Sequence, residues 1–130
     1  MSSEKGLGRS ITMLKVYSYK GCDGCRKALK WLNSNGFEYE NFPIRDTPPS
    51  EQELDKMLAA YDGNLRRLFN VSGRDYRELG LKESLPSMSK KDAFALFRSN
   101  GNLVKRPFLI GDNAAIVGFK EADWVEALGA

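Results

Sequence analysis

The 130-residue sequence predicts a single α/β domain built on a small mixed β-sheet, in the order βαβ, a helical insert, then ββα. Three observations carry that prediction. A strand, a helix and a second strand fall within ~30 residues between Leu14 and Ile44, the length of a βαβ unit. The middle of the chain carries helical periodicity and helix caps. Two short apolar runs then flank Gly111-Asp112-Asn113, and one final helix follows.

Taken in order, residues 1–12 are small, polar and without periodicity, and read as a flexible tail before a second candidate start at Met13. The domain proper spans 13–130. Leu14 to Tyr19, with Leu14, Val16 and Tyr17, is the first strand, and it ends at a turn containing Gly21. In the helix over Asp23 to Asn35, Cys25, Ala28, Leu29 and Leu32 occupy the i, i+3, i+4, i+7 positions of one face. Gly36 suits its left-handed cap, and Asp23 is the expected N-cap. Phe37 to Ile44 alternates as a second strand that Pro43 ends or places at an edge, and the βαβ connection makes the two strands parallel.

After Pro48-Pro49, Ser50 and Glu53 form a capping box for a helix with the apolar face Leu54, Met57, Leu58 and Tyr61. Leu65 to Leu81 reads as two short helical pieces divided near Val71-Ser72-Gly73. Ser89 and Asp92 start a further helix through Phe94, Leu96 and Phe97 to Gly101. Phe108 to Ile110 and Ala114 to Gly118 form the hairpin, and Glu121 to Leu128 is a helix with Trp124, Val125 and Leu128 inward.

Composition excludes several classes of function. The net charge of +3 comes with acidic residues interleaved almost throughout, so no clustered basic surface for nucleic acid is evident. No apolar run reaches the ~18 residues of a membrane span, and the amino terminus has no apolar signal segment. The expectation is a cytoplasmic monomer. The chain has two cysteines and no histidine. A closed zinc site needs four ligands, which only a site shared between subunits would supply. The plainest alternative makes Cys22 and Cys25 two small apolar residues at helical spacing.

The richest stretch is Tyr19-Lys20-Gly21-Cys22-Asp23-Gly24-Cys25-Arg26-Lys27. It sets both cysteines at a strand-to-helix junction, where unpaired N–H groups and the helix dipole favour a thiolate. Cys22 is the candidate nucleophile. Cys25, one turn later, is placed to attack a sulfur adduct on Cys22 and release a disulfide. Without histidine no Cys-His pair can form, so the stabilising groups are the helix N-terminus and the cations Arg26, Lys27, Lys20 and Arg106. Nothing in the sequence separates Arg74, Arg77 or Lys82 from a solvated face.

The C-x-x-C after the first strand, followed by a second half that begins Arg106-Pro107 and runs through a hairpin to a last helix, resembles the thioredoxin fold. More narrowly, the chain from about Met13 onward resembles the arsenate reductase-like family of ArsC, Spx and YffB types. The segments that carry the resemblance are 22–28, 68–81, Lys105-Arg106-Pro107 and Val117-Gly118-Phe119. The resemblance implies that Cys22 is the nucleophile, Arg26 the arginine of its loop and Arg106 the arginine before the proline. It implies a cis bond before Pro107, with the proline facing Cys22.

The register puts Asn70 and Phe119 where the reductases carry two further oxyanion-binding arginines. Asn70 and Pro107 are then the substrate-positioning residues, and arsenate loses two ligands. Cys25 matches the Spx-type motif. Three functions follow as expectations: a thiol-disulfide oxidoreductase; a glutathione- or glutaredoxin-dependent arsenate reductase; and an Spx-type redox switch that binds RNA polymerase. No bound cofactor is expected, and the reductant would be glutathione, a glutaredoxin or a thioredoxin.

Overall fold

A computed structural model describes residues 14–130; the tail over residues 1–12 and the start at Met13 lie outside the described residues. Strand β1 (Leu14–Ser18) pairs in parallel with β2 (Tyr39–Pro43), Leu14 opposite Tyr39 and Ser18 opposite Pro43. On its other side β1 runs antiparallel to β3 (Phe108–Ile110), which forms the hairpin with β4 (Ala115–Val117), so the strand order is β2-β1-β3-β4. The sheet is mixed, as the sequence predicts. Pro43 ends an edge strand, where its missing N–H costs no ladder bond.

The central strands are buried on both faces because helices cover both. Val16 and Leu109 point into a cluster with Ala28 and Leu32 of α1 (Asp23–Ser34) and Trp124 of α6 (Glu121–Leu128). Tyr17, Phe108 and Ile110 point the other way, against Leu54, Met57 and Leu58 of α2 (Glu51–Ala60) and Phe94 and Phe97 of α5 (Lys90–Ser99). Trp124 is fully buried, whereas Val125 and Leu128 are only partly covered. The capping box at the start of α2 forms as expected, with Ser50 and Glu53 bonding each other's backbone N–H.

The segment from Leu65 to Leu81 forms two short helical pieces divided around Val71-Ser72-Gly73, as the sequence predicts. It holds a 3₁₀ turn (Leu65–Leu68) and the short helix α3 (Arg74–Glu78), and Leu81 opens a third piece, α4 (Leu81–Ser84). Between the first two, Phe69 bridges to Val104, which ties the insert to the segment leading into β3. A further 3₁₀ turn (Gly101–Leu103) follows α5. Gly101 is indispensable there, since a Cβ at that position would fall 1.9 Å from the Ile44 carbonyl oxygen.

Candidate active site at the β1–α1 junction

The turn leaving β1 closes with the Cys22 N–H donating to the Tyr19 carbonyl at 3.1 Å. Cys22 is the N-cap of α1, with extended backbone (φ −102°, ψ 117°), and its Sγ accepts the Cys25 N–H at 3.2 Å. The cap predicted for Asp23 therefore falls one residue earlier. Asp23 enters the first turn and pairs with Arg26. A sulfur in the capping position faces the amide end of the helix, an acceptor role that suits a sulfur anion.

Cys25 is 1% exposed and Cys22 half-buried, and the two are unbridged. Burial, and then the contact with Cys22, push the Cys25 thiol up to about 12, against the smaller opposing influences of the Tyr19 backbone and Arg106. At neutral pH Cys25 is thus a protonated thiol standing beside the more accessible sulfur.

The Arg106–Pro107 bond is cis and Pro107 is buried. A Cβ placed on Gly24 would lie 3.8 Å from Pro107 Cδ and 4.0 Å from Cys22 Sγ. The proline ring and the Cys22 sulfur therefore both lie against the motif glycine. Any side chain at position 24 would narrow the gap between ring and sulfur.

The cations divide differently from the sequence expectation. Arg26 donates to the Lys20 carbonyl at 2.7 Å and to Asp23, and its side chain is 60% exposed, so its guanidinium braces the loop. Arg106 stacks over Tyr19, Cζ 5.2 Å from the ring centroid, and its Nη1 lies 3.5 Å from the Asn102 carbonyl oxygen. Asn70 donates through Nδ2 to that same carbonyl at 3.3 Å. Asn70 and Arg106 thus converge, although Asn70 is held by backbone. Phe119, partly buried, packs edge-on against Trp124, centroids 5.1 Å apart, at the margin of the core on the opposite face of the sheet from α2 and α5. Arg74 is 73% exposed beside Asp75 and Glu78.

Two residues escaped the sequence reading. Arg45 places its guanidinium 4.6 Å from the centroid of the Tyr19 ring, the ring that Arg106 also meets. In the sequence it is one charge in an Arg-Asp-Thr turn, and only the parallel register, Ser18 opposite Pro43, carries it to the Tyr19 ring. Asp75 accepts the amides of Asn100 (3.0 Å) and Asn102 (3.2 Å), and these two bonds lead the effects that hold its carboxyl below the usual range. Its partners lie more than twenty residues away in the chain, so no local pattern announces them. Among the described residues, no group of three or more potential metal-ligating side chains occurs and no helix is long and apolar enough to cross a membrane.

A C-x-x-C opening the helix after the first strand, set against a cis-proline that leads into the hairpin of a four-stranded mixed sheet, defines a thioredoxin-like domain. The chain belongs to the ArsC family, whose profile matches residues 17–127. It is 42% identical to the uncharacterized protein YusI of Bacillus subtilis over 87% of this chain and 96% of that protein. An ArsC family related protein of Bacteroides fragilis superposes with a TM-score of 0.81 at 37% identity, covering 88% of this chain and 96% of the other. The global transcriptional regulator Spx 1 of Bacillus cereus is 26% identical over 84% of this chain and 82% of its own.

Proposed function

We propose that the chain is a cytoplasmic thiol-dependent oxidoreductase in which Cys22 attacks and Cys25 resolves. The observation that carries the reading is the paired geometry at the head of α1. A half-buried Cys22 sulfur is capped by the Cys25 N–H at 3.2 Å, and a buried Cys25 thiol stands one turn behind it. Attack of the Cys22 thiolate on a substrate disulfide forms a mixed disulfide and releases one substrate thiolate. Cys25 then attacks Cys22 Sγ, the second substrate sulfur leaves with the Cys25 proton, and a Cys22–Cys25 disulfide remains. Two external thiol equivalents, from glutathione, a glutaredoxin or a thioredoxin, restore the dithiol.

Arsenate is the weaker substrate on this geometry. A buried dianion needs paired cations, and of the family's oxyanion positions Asn70 is spent on a backbone carbonyl and Phe119 on the core.

The test is mass spectrometry after mild peroxide. The expected product is an intramolecular Cys22–Cys25 bridge that glutathione or thioredoxin reverses. Persistent free thiols, or bridges only between molecules, would remove the resolving role of Cys25.

The similarity to Spx 1 favours a second reading, in which the same bridge reports oxidation to a transcription complex. Retention of RNA polymerase by the tagged protein, changed by oxidation, would support that reading over catalysis.

A further inference from the structure

We propose that a cavity in the helical insert binds a small amphipathic anion, one carboxylate or similar group on an apolar body, with the Tyr76 hydroxyl, Arg66 and Lys82 as its polar contacts. The cavity measures about 610 Å³ and lies between the 3₁₀ turn Leu65–Leu68, α3, α4 and the 3₁₀ turn Leu85–Ser87. That volume falls within the ~300–1,000 Å³ of small-molecule sites. No residue of the cysteine turn lines it, so the proposal is independent of the redox reading.

Leu65, Val71, Leu85 and Met88 are partly buried, pack against the core beneath and give the cavity an apolar floor. A ligand with an apolar body removes that surface, and its own, from water. Tyr76 is the polar group set into this floor. Its ring packs against Phe69, centroids 5.8 Å apart, and the residue is 5% exposed. The Tyr17, Tyr39 and Tyr61 hydroxyls bond Glu53, Asn33 and the Val117 N–H, whereas the Tyr76 hydroxyl has no hydrogen-bond partner among the described residues. A buried hydroxyl left without a protein partner is costly, and Tyr76 takes its partner from the cavity it lines.

The charge of the lining has one sign. Arg66 and Lys82 line the cavity and no Asp or Glu does. Among the described residues neither cation stands within ion-pair distance of a carboxylate. The adjacent Arg67 is committed elsewhere, its Cζ 4.5 Å from the Tyr61 ring centroid. Asn64 uses its side-chain oxygen to accept the Arg66 N–H at 3.2 Å, which leaves its amide nitrogen as one more donor. A guanidinium, an ammonium and a hydroxyl can all donate to the same anionic group. An apolar floor with uncompensated positive donors selects an anion with an apolar body over a cation or a neutral ligand of the same shape.

The test is titration of the reduced, ¹⁵N-labelled protein at low salt with 2-naphthoate and with its neutral isostere 2-naphthamide, followed by amide shifts. Naphthoate should give saturable shifts at residues 63–66, 71, 76 and 82–88, and naphthamide should bind at least about threefold more weakly. Tyr76→Phe, which keeps the ring against Phe69, should weaken naphthoate about three- to tenfold, as for one lost hydrogen bond. Lys82→Ala should weaken it about two- to fivefold, an effect that salt removes, and Arg74→Ala, outside the cavity, should change nothing. Shifts that do not saturate, equal affinity for the two probes, or binding indifferent to Tyr76→Phe overturn the proposal. Shifts at these residues on raising the protein concentration alone also overturn it, since the cavity would then be a contact between copies of the chain. The comparison of the two probes uses the wild-type chain and stands whether or not a variant folds.

Discussion

At the scale of single residues, the two cysteines are made unequal by one turn of helix. Cys22 occupies the cap, where backbone donors and solvent both reach it; Cys25 faces the core at 1% exposure. Its thiol is pushed up to about 12, mainly by burial, which a change at position 22 leaves in place. Alkylation at pH 7.5 should therefore modify Cys22 first. In Cys22→Ser, the remaining Cys25 should react with iodoacetamide slower than a free thiol by about two orders of magnitude or more, because so little of it is thiolate. Rapid labelling of Cys25 in that variant would show that the thiol is neither buried nor protonated in solution, and the division of labour between the sulfurs would fail with it.

At the scale of elements, the site depends on a turn that contributes no reacting group. The Asn100–Asn102 stretch is held from one side by the Asp75 carboxylate, and Asn100 Oδ1 accepts the Asn102 N–H within the turn. Its Asn102 carbonyl then receives Asn70 and stands against Arg106. From the other side Gly101 presses on the backbone at Ile44, so closely that no β-carbon fits. Backbone cannot step aside as a flexible side chain can. Gly101→Ala should therefore destabilise the fold by about 3 kcal/mol, as for severe overpacking, visible as a lower urea midpoint with an unchanged slope. A loss below about 0.5 kcal/mol, the range of neutral surface changes, would show that the two segments are not in this contact.

At the scale of the whole molecule, one polar cluster joins β1 to the insert. The Tyr17 hydroxyl donates to Glu53 Oε1 at 2.6 Å, the Ser50 N–H donates to the same oxygen at 2.9 Å, and Lys15 Nζ lies 3.3 Å from Oε2. Burial alone would raise the Glu53 carboxyl, but these partners outweigh it and hold it below the ordinary 4.5. A carboxyl depressed in the folded state adds stability that is present above its unfolded pKa and is lost as pH falls through the folded value. Stability followed by urea denaturation should thus decline on acidification below about pH 4.5, and Glu53→Gln should flatten part of that decline. An acid limb identical in wild type and variant would mean that the carboxylate carries no such linkage.

The order of elements, the parallel β1–β2 pair, the hairpin and the cysteine pair were determined by the sequence itself, because each rests on local signals. Period-2 and period-3.6 patterns, a capping box at Ser50, and cysteines at a strand-to-helix junction act over a few residues. The 3₁₀ turns were not legible, since they arise where the insert is pulled onto Val104 and Ile44 by distant partners. The cap at Cys22 instead of Asp23 turned on one residue of backbone angle, finer than any pattern. Arg26 and Arg106 look equivalent in the sequence, yet one is consumed by its own loop and the other reaches Tyr19. Arg45 and Asp75 carry no local signal in the sequence, and they meet Tyr19 and the Asn100–Asn102 turn only through sheet register and a contact across more than twenty residues. Local chemistry placed the cysteine pair at the head of a helix; which charges surround it was decided by tertiary structure, because a side chain of several rotatable bonds takes its partner from whatever the fold brings within reach.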